Sequence, residues 1–96
     1  MNVLEAILYP TVDEHNQAGG APLSRSPDQP LYGEGAPLDS VALVSLLVAV
    51  EQRIEDELGV LITLADEKAM SRSRSPFRTI ATLAEYVTEC LRAKGP

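Results

Sequence analysis

The chain has 96 residues, 45% of them hydrophobic and 23% charged, with a mean hydropathy close to zero. This describes one soluble globular domain and excludes wholesale disorder or a large single-chain enzyme. Fourteen acidic against eight basic side chains give a net charge of −6, so general affinity for nucleic-acid phosphates or anionic lipid runs against the electrostatics, and basic partner surfaces are favoured.

One cysteine, Cys90, and one histidine, His15, leave no internal disulfide framework, multi-cysteine zinc site or His-based triad to assemble. Four aromatic residues and no Trp require an aliphatic core, which suits packed helices.

The first element is a helix over 1–18. Val3, Leu4, Ile7 and Leu8 recur at helical spacing, and Asn2 with Glu5 three residues later reads as a capping box. Pro10 kinks or restarts this helix, and Gly19-Gly20 ends it. No basic segment followed by an apolar run opens the chain, so no secretory signal is read and a cytoplasmic location is expected. Residues 19–38 are rich in Gly and Pro and read as a loop, long enough to call for either disorder or a function.

The strongest helix occupies 39–58, opened by Leu38-Asp39-Ser40 and stopped by Gly59. Leu43, Leu46, Leu47, Val50, Ile54 and Leu58 make its buried face. Val41, Val44 and Val48 form a second apolar stripe on the side that also carries Ser40 and Glu51, so the helix is either central or presents an apolar strip to a partner. The longest apolar stretch, Val41 to Val50, is about half of what a membrane-spanning helix requires, and no membrane insertion is expected. Val60 to Leu64 reads as an extended connector that plugs the core, followed by a short helix at 65–70. Ser71 to Pro76 is a polar loop that Phe77 anchors, and Ile80, Leu83, Ala84, Val87, Cys90 and Leu91 set out a last helix over 79–93 with Thr79 as its cap. The fold class is therefore all-α: a small bundle of three main helices and one short one in a single domain over 1–96, with a long loop between the first two helices.

Charge is unevenly spread, with twelve acids and two bases in residues 1–67 against two acids and six bases in 68–96. Glu55, Asp56 and Glu57 sit at the carboxyl end of the central helix, against the macrodipole, which suggests partner docking or weak cation binding.

Ser40 follows an Asp at the end of a Gly/Pro-rich loop and the start of a helix. A hydroxyl there is exposed beside free backbone amides and the positive end of the helix dipole, a favourable place for a phosphate. No His, Lys or Cys in the motif activates it as a nucleophile and the hydrolase elbow is absent, so Ser40 suits an acceptor rather than a catalyst. Taken alone, the same serine could equally be an ordinary helix cap.

The run Gly33-Glu34-Gly35-Ala36-Pro37-Leu38-Asp39-Ser40-Val41, the helix that follows it, Leu58-Gly59-Val60, and Thr79-Ile80-Ala81-Thr82-Leu83-Ala84-Glu85-Tyr86-Val87 together resemble the acyl carrier proteins and their peptidyl and D-alanyl relatives, over roughly residues 31–91. The resemblance implies a non-enzymatic, monomeric carrier. Ser40, with Asp39 before it, matches the serine to which a phosphopantetheinyl transferase attaches 4′-phosphopantetheine, whose thiol holds acyl groups as thioesters. It further implies that Val41, Val44, Val48, Glu51, Glu55 and Asp56 face partners: an acyl- or aminoacyl-activating ligase, a ketosynthase or an acyltransferase. The loop then joins antiparallel first and second helices. Carriers of primary fatty acid synthesis usually have Leu after the serine and acids at the positions of Ala42 and Ser45, so this chain points to dedicated partners. The stretch Met70 to Arg78 resembles D-alanyl carriers. Three readings stay open: an acyl carrier of a specialised pathway, an aminoacyl or D-alanyl carrier loaded by an adenylating ligase, and a helical interaction module with no prosthetic group. A Ser40 that is buried or placed mid-helix would count against both carrier readings.

Overall fold

The computed structural model describes residues 2–20, 22–33, 35–64 and 77–94, and among these it is helical with no strand. The expected all-α class is met. The short helix expected at 65–70 and most of the Met70–Arg78 stretch lie outside the described residues.

The chain opens with a π-helical turn, Leu4–Leu8, that runs directly into helix α1, Tyr9–Gln17. Pro10 explains the wide turn. It has no N–H for the carbonyl of Ala6 and its ring crowds that carbonyl, so the turn before it opens out and the Tyr9 N–H reaches the Leu4 carbonyl five residues back. Pro10 thus sits in the first turn of α1, where the α-helix starts anew after the π-helical turn, as a kinking or restarting proline was expected to do. Of the expected capping box, Asn2 supplies a long contact, Glu5 N–H to Oδ1 at 3.4 Å.

Helix α2 spans Ser40–Leu58, and helix α3 spans Ile80–Lys94. The apolar spacing of α2 decides what it buries: Leu43, Leu46, Leu47, Val50 and Ile54 all face the core. Gly59 ends it at φ +67°, a conformation that a side chain would strain, and its N–H donates to the Glu55 carbonyl at 2.8 Å. From α3 the core receives Ile80, Leu83 and Val87. Phe77, just before α3, is fully buried and meets the Tyr86 ring edge-on at 5.9 Å, the anchoring role its isolation in a polar stretch suggested.

Polar contacts tie α1 to the second half of α2. Arg53, in the last third of α2, donates through Nε to Thr11 Oγ1 at 3.2 Å and pairs with the Glu14 carboxylate. Val3 and Leu4 flank Ala84 and Thr88 of α3, at the other end of the first helix.

The loop between α1 and α2 is held by hydrogen bonds. Asn16 clamps Leu23 with a pair of contacts at 2.9 Å, its Nδ2 donating to the Leu23 carbonyl and its Oδ1 accepting the Leu23 N–H. Arg25 then lies over the Tyr9 ring, 5.2 Å from its centroid, and pairs with Asp13. Farther on, the carbonyls of Gln29 and Pro27 accept the first two amides of α3, from Ile80 and Ala81, and Leu31 N–H donates to the Arg78 carbonyl at 2.8 Å. Leu23, Leu31 and Leu38 are buried. Between disorder and a function, the loop's backbone answers with order: it spans the bundle and satisfies the amino end of α3 on its way.

After Gly59 the chain leaves the helix and burial alternates along it. Ile62 and Leu64 point into the core, whereas Leu61 and Thr63 are exposed, as expected of a connector that plugs it. Among the described residues no helix is long and apolar enough to cross a membrane.

Candidate functional site

Helix amino ends leave their first backbone amides without partners inside the helix, so what satisfies them differs from case to case. At α3 every one of the first amides is used. Ile80 and Ala81 donate to loop carbonyls, Thr82 N–H donates to Thr79 Oγ1 at 3.2 Å, and Leu83 N–H reaches the Thr79 carbonyl at 3.1 Å. Thr79 therefore caps α3, and the helix begins one residue after it.

At α2 the cap is Asp39. Its backbone is extended, its carboxylate accepts the Ala42 N–H at 2.8 Å, and its carbonyl accepts the Leu43 N–H at 2.9 Å. Ser40 is the first helical residue and is exposed. Its hydroxyl makes no hydrogen bond among the described residues, and the N–H groups of Ser40 and Val41 donate to none of them. The serine is neither buried nor mid-helix, and the capping role that it could have filled belongs to its neighbour. An exposed hydroxyl, two open amides and the positive end of a nineteen-residue helix converge at one point.

The valine stripe is exposed in the folded chain. Val41 is 75% accessible and Val44 and Val48 are each 40% accessible. All three lie beside Ser40 on the side of α2 turned away from Leu43, Leu47 and Ile54. Leu61, 65% accessible, is a fourth large apolar residue at the surface that the stripe did not include. The sequence carries no signal for it, since Leu61 is as apolar as its buried neighbours Ile62 and Leu64.

The expected acidic residues separate. Glu55 is exposed and falls one helical turn beyond Glu51 on the valine side. Asp56 is also exposed but turns toward a shallow cleft with Glu14, Gln52, Arg53 and Glu57, where α2 meets α1. Glu51 is half-buried and its carboxylate accepts the Leu64 N–H, so it faces inward to the connector. Arg53 and Thr11 had no place in the sequence reading of this face. Their partnership depends on how α1 lies across α2, which side-chain spacing within either helix does not encode.

Elsewhere, an open groove lies between the amino-terminal turn and α3, floored by Ala81, Ala84 and Thr88 and walled by Leu4 and Leu91. No residue of α2 lines it. Among the described residues no group of three or more His, Cys, Asp or Glu side chains is placed to hold a metal ion.

No protein-family model matches the chain, and no curated protein or solved structure gives a significant match to it.

Proposed function

We propose that the protein is a non-catalytic, monomeric carrier in which Ser40 is the attachment point of a 4′-phosphopantetheine arm, serving a specialised biosynthetic pathway in the cytoplasm. The observation that carries this reading is the division of labour at the start of α2: Asp39 caps the helix, which leaves the Ser40 hydroxyl exposed beside the open amides of Ser40 and Val41. A phosphodiester fits there, because an anion at a helix amino end meets both N–H donors and the positive dipole. The arm itself supplies the thiol on which acyl groups are held as thioesters.

The rest of the face supports the same reading. Val41, Val44 and Val48 form an apolar strip next to the attachment residue, with Glu55 farther along it to meet a basic patch on a phosphopantetheinyl transferase, an activating ligase, a ketosynthase or an acyltransferase. Charge of this kind chiefly raises encounter rates and fixes orientation. The Asp39 carboxylate is engaged with the Ala42 amide, so in this reading the proton of the serine hydroxyl leaves to a group on the transferase.

The test is transfer from a fluorescent coenzyme A by a broad-specificity phosphopantetheinyl transferase. Wild type and Ser45→Ala take up the label and Ser40→Ala does not. A folded wild-type protein that takes up none would instead be an interaction module that uses the valine strip.

A further inference from the structure

Glu51 carries an acid on the partner-facing side of α2, yet its carboxylate is turned to a backbone amide. The connector explains why that matters. Residues Val60–Leu64 belong to no helix and pair with no strand among the described residues, so no ladder fixes which of them point inward, yet burial alternates along them as in an extended chain. In an extended chain, a slip of one residue exchanges every inward side chain for an outward one. Here that would replace Ile62 and Leu64, both buried, by Leu61 and Thr63, both exposed. Leu64 is completely buried, so its N–H must find a partner inside the protein, and it donates to Glu51 Oε2.

We infer that Glu51 is a latch: its carboxylate sets the register of the connector and holds Leu64 in the core, and this is its role in place of contacting a partner. The inference is independent of whether Ser40 bears an arm. It separates Glu51 from Glu55, one turn away, whose exposed carboxylate is free of any such duty among the described residues.

The experiment is amide hydrogen exchange by NMR on the full chain, in wild type, Glu51→Gln, Glu51→Ala and Glu55→Ala. In wild type the Leu64 amide exchanges at least tenfold more slowly than those of Leu61 and Thr63. Glu51→Gln keeps an acceptor of the same reach and holds that protection to within about threefold. Glu51→Ala loses it by tenfold or more and shifts the methyl resonances of Ile62 and Leu64, while the amides of Leu46 and Leu47 in α2 stay protected. Glu55→Ala changes none of these. A Leu64 amide that is unprotected in wild type overturns the latch even if the alanine variant does not fold. So does an alanine variant that folds and keeps Leu64 protected, or a glutamine variant that loses protection as fully as alanine does.

Discussion

Asp39 caps α2 and Ser40 follows it as the first helical residue, so the two adjacent side chains divide between them what either could have done alone. The carboxylate of Asp39 is bound to the Ala42 amide at 2.8 Å, and the hydroxyl of Ser40 is left at the surface. The cap and the exposed hydroxyl thereby belong to different residues, and the two can be separated by mutation. Asp39→Ala removes the cap and is expected to cost about 1 kcal/mol, within a range of roughly 0.5–2 kcal/mol. Ser40→Ala removes a hydroxyl that has no hydrogen-bond partner among the described residues and should stay within about 0.5 kcal/mol of wild type. Urea unfolding of the two variants checks this, and an equal loss in both would mean that the serine shares in the cap.

Thr11 is the one buried polar residue among those described, and it is fully engaged. Its hydroxyl donates to the Ile7 carbonyl at 2.8 Å and accepts from Arg53 Nε. Thr11→Val leaves the guanidinium without this acceptor in a partly buried place, for an expected loss of about 1–3 kcal/mol. Glu14→Gln weakens an ion pair whose acid is largely exposed and should cost less than about 1 kcal/mol. Chemical denaturation of both variants gives the comparison, and a larger effect at Glu14 would reverse it.

The loop depends on Asn16. Replacing it by Ala removes both contacts to Leu23, and the segment from Gly19 to Arg25 should then be cleaved by a nonspecific protease several-fold faster, while far-UV circular dichroism is unchanged. Unchanged cleavage would show that Leu23 and the Arg25 contacts hold the loop without the clamp.

Val41 and Val44 differ from Leu47 in what they touch. Leu47 is completely buried, and Leu47→Ala is expected to cost about 2–5 kcal/mol. Val41→Ser and Val44→Ser are expected to stay within about 0.5 kcal/mol of wild type, since most of that surface already meets water. If the strip is read by the transferase, the same two variants lower the rate of arm transfer at unchanged stability. Equal transfer rates in wild type and both variants would remove the strip from that role.

Most of the secondary structure was legible in the sequence because its signals are local. The apolar spacing from Leu43 to Leu58, Gly59 after it, and Thr79 before Ile80 mark the ends and faces of α2 and α3 to within a residue. Val60 to Leu64 was legible as a connector that plugs the core, but not which of its side chains do so, because Leu61 is as apolar as Ile62 and Leu64 and yet is exposed. Ser40 stood out through its position after a Gly/Pro-rich loop and before a long helix, although which of Asp39 and Ser40 takes the cap is a choice between two good cap formers and needed the geometry. The contacts of Arg53 with Thr11 and Glu14, which tie α1 to α2, had no signal in the spacing within either helix. Glu51 was grouped with Glu55 by helix face, yet its carboxylate answers to Leu64, thirteen residues away in sequence. Pairings of this kind arise from how extended and helical segments cross, and periodicity within one segment carries no trace of them.

The most direct test of the carrier reading is intact mass after incubation of the folded chain with a broad-specificity phosphopantetheinyl transferase and coenzyme A, followed by peptide mapping. The account predicts one phosphopantetheine-sized addition, located on Ser40 and absent from Ser40→Ala. A folded wild-type chain whose mass does not change, or an addition that persists in Ser40→Ala, would contradict it.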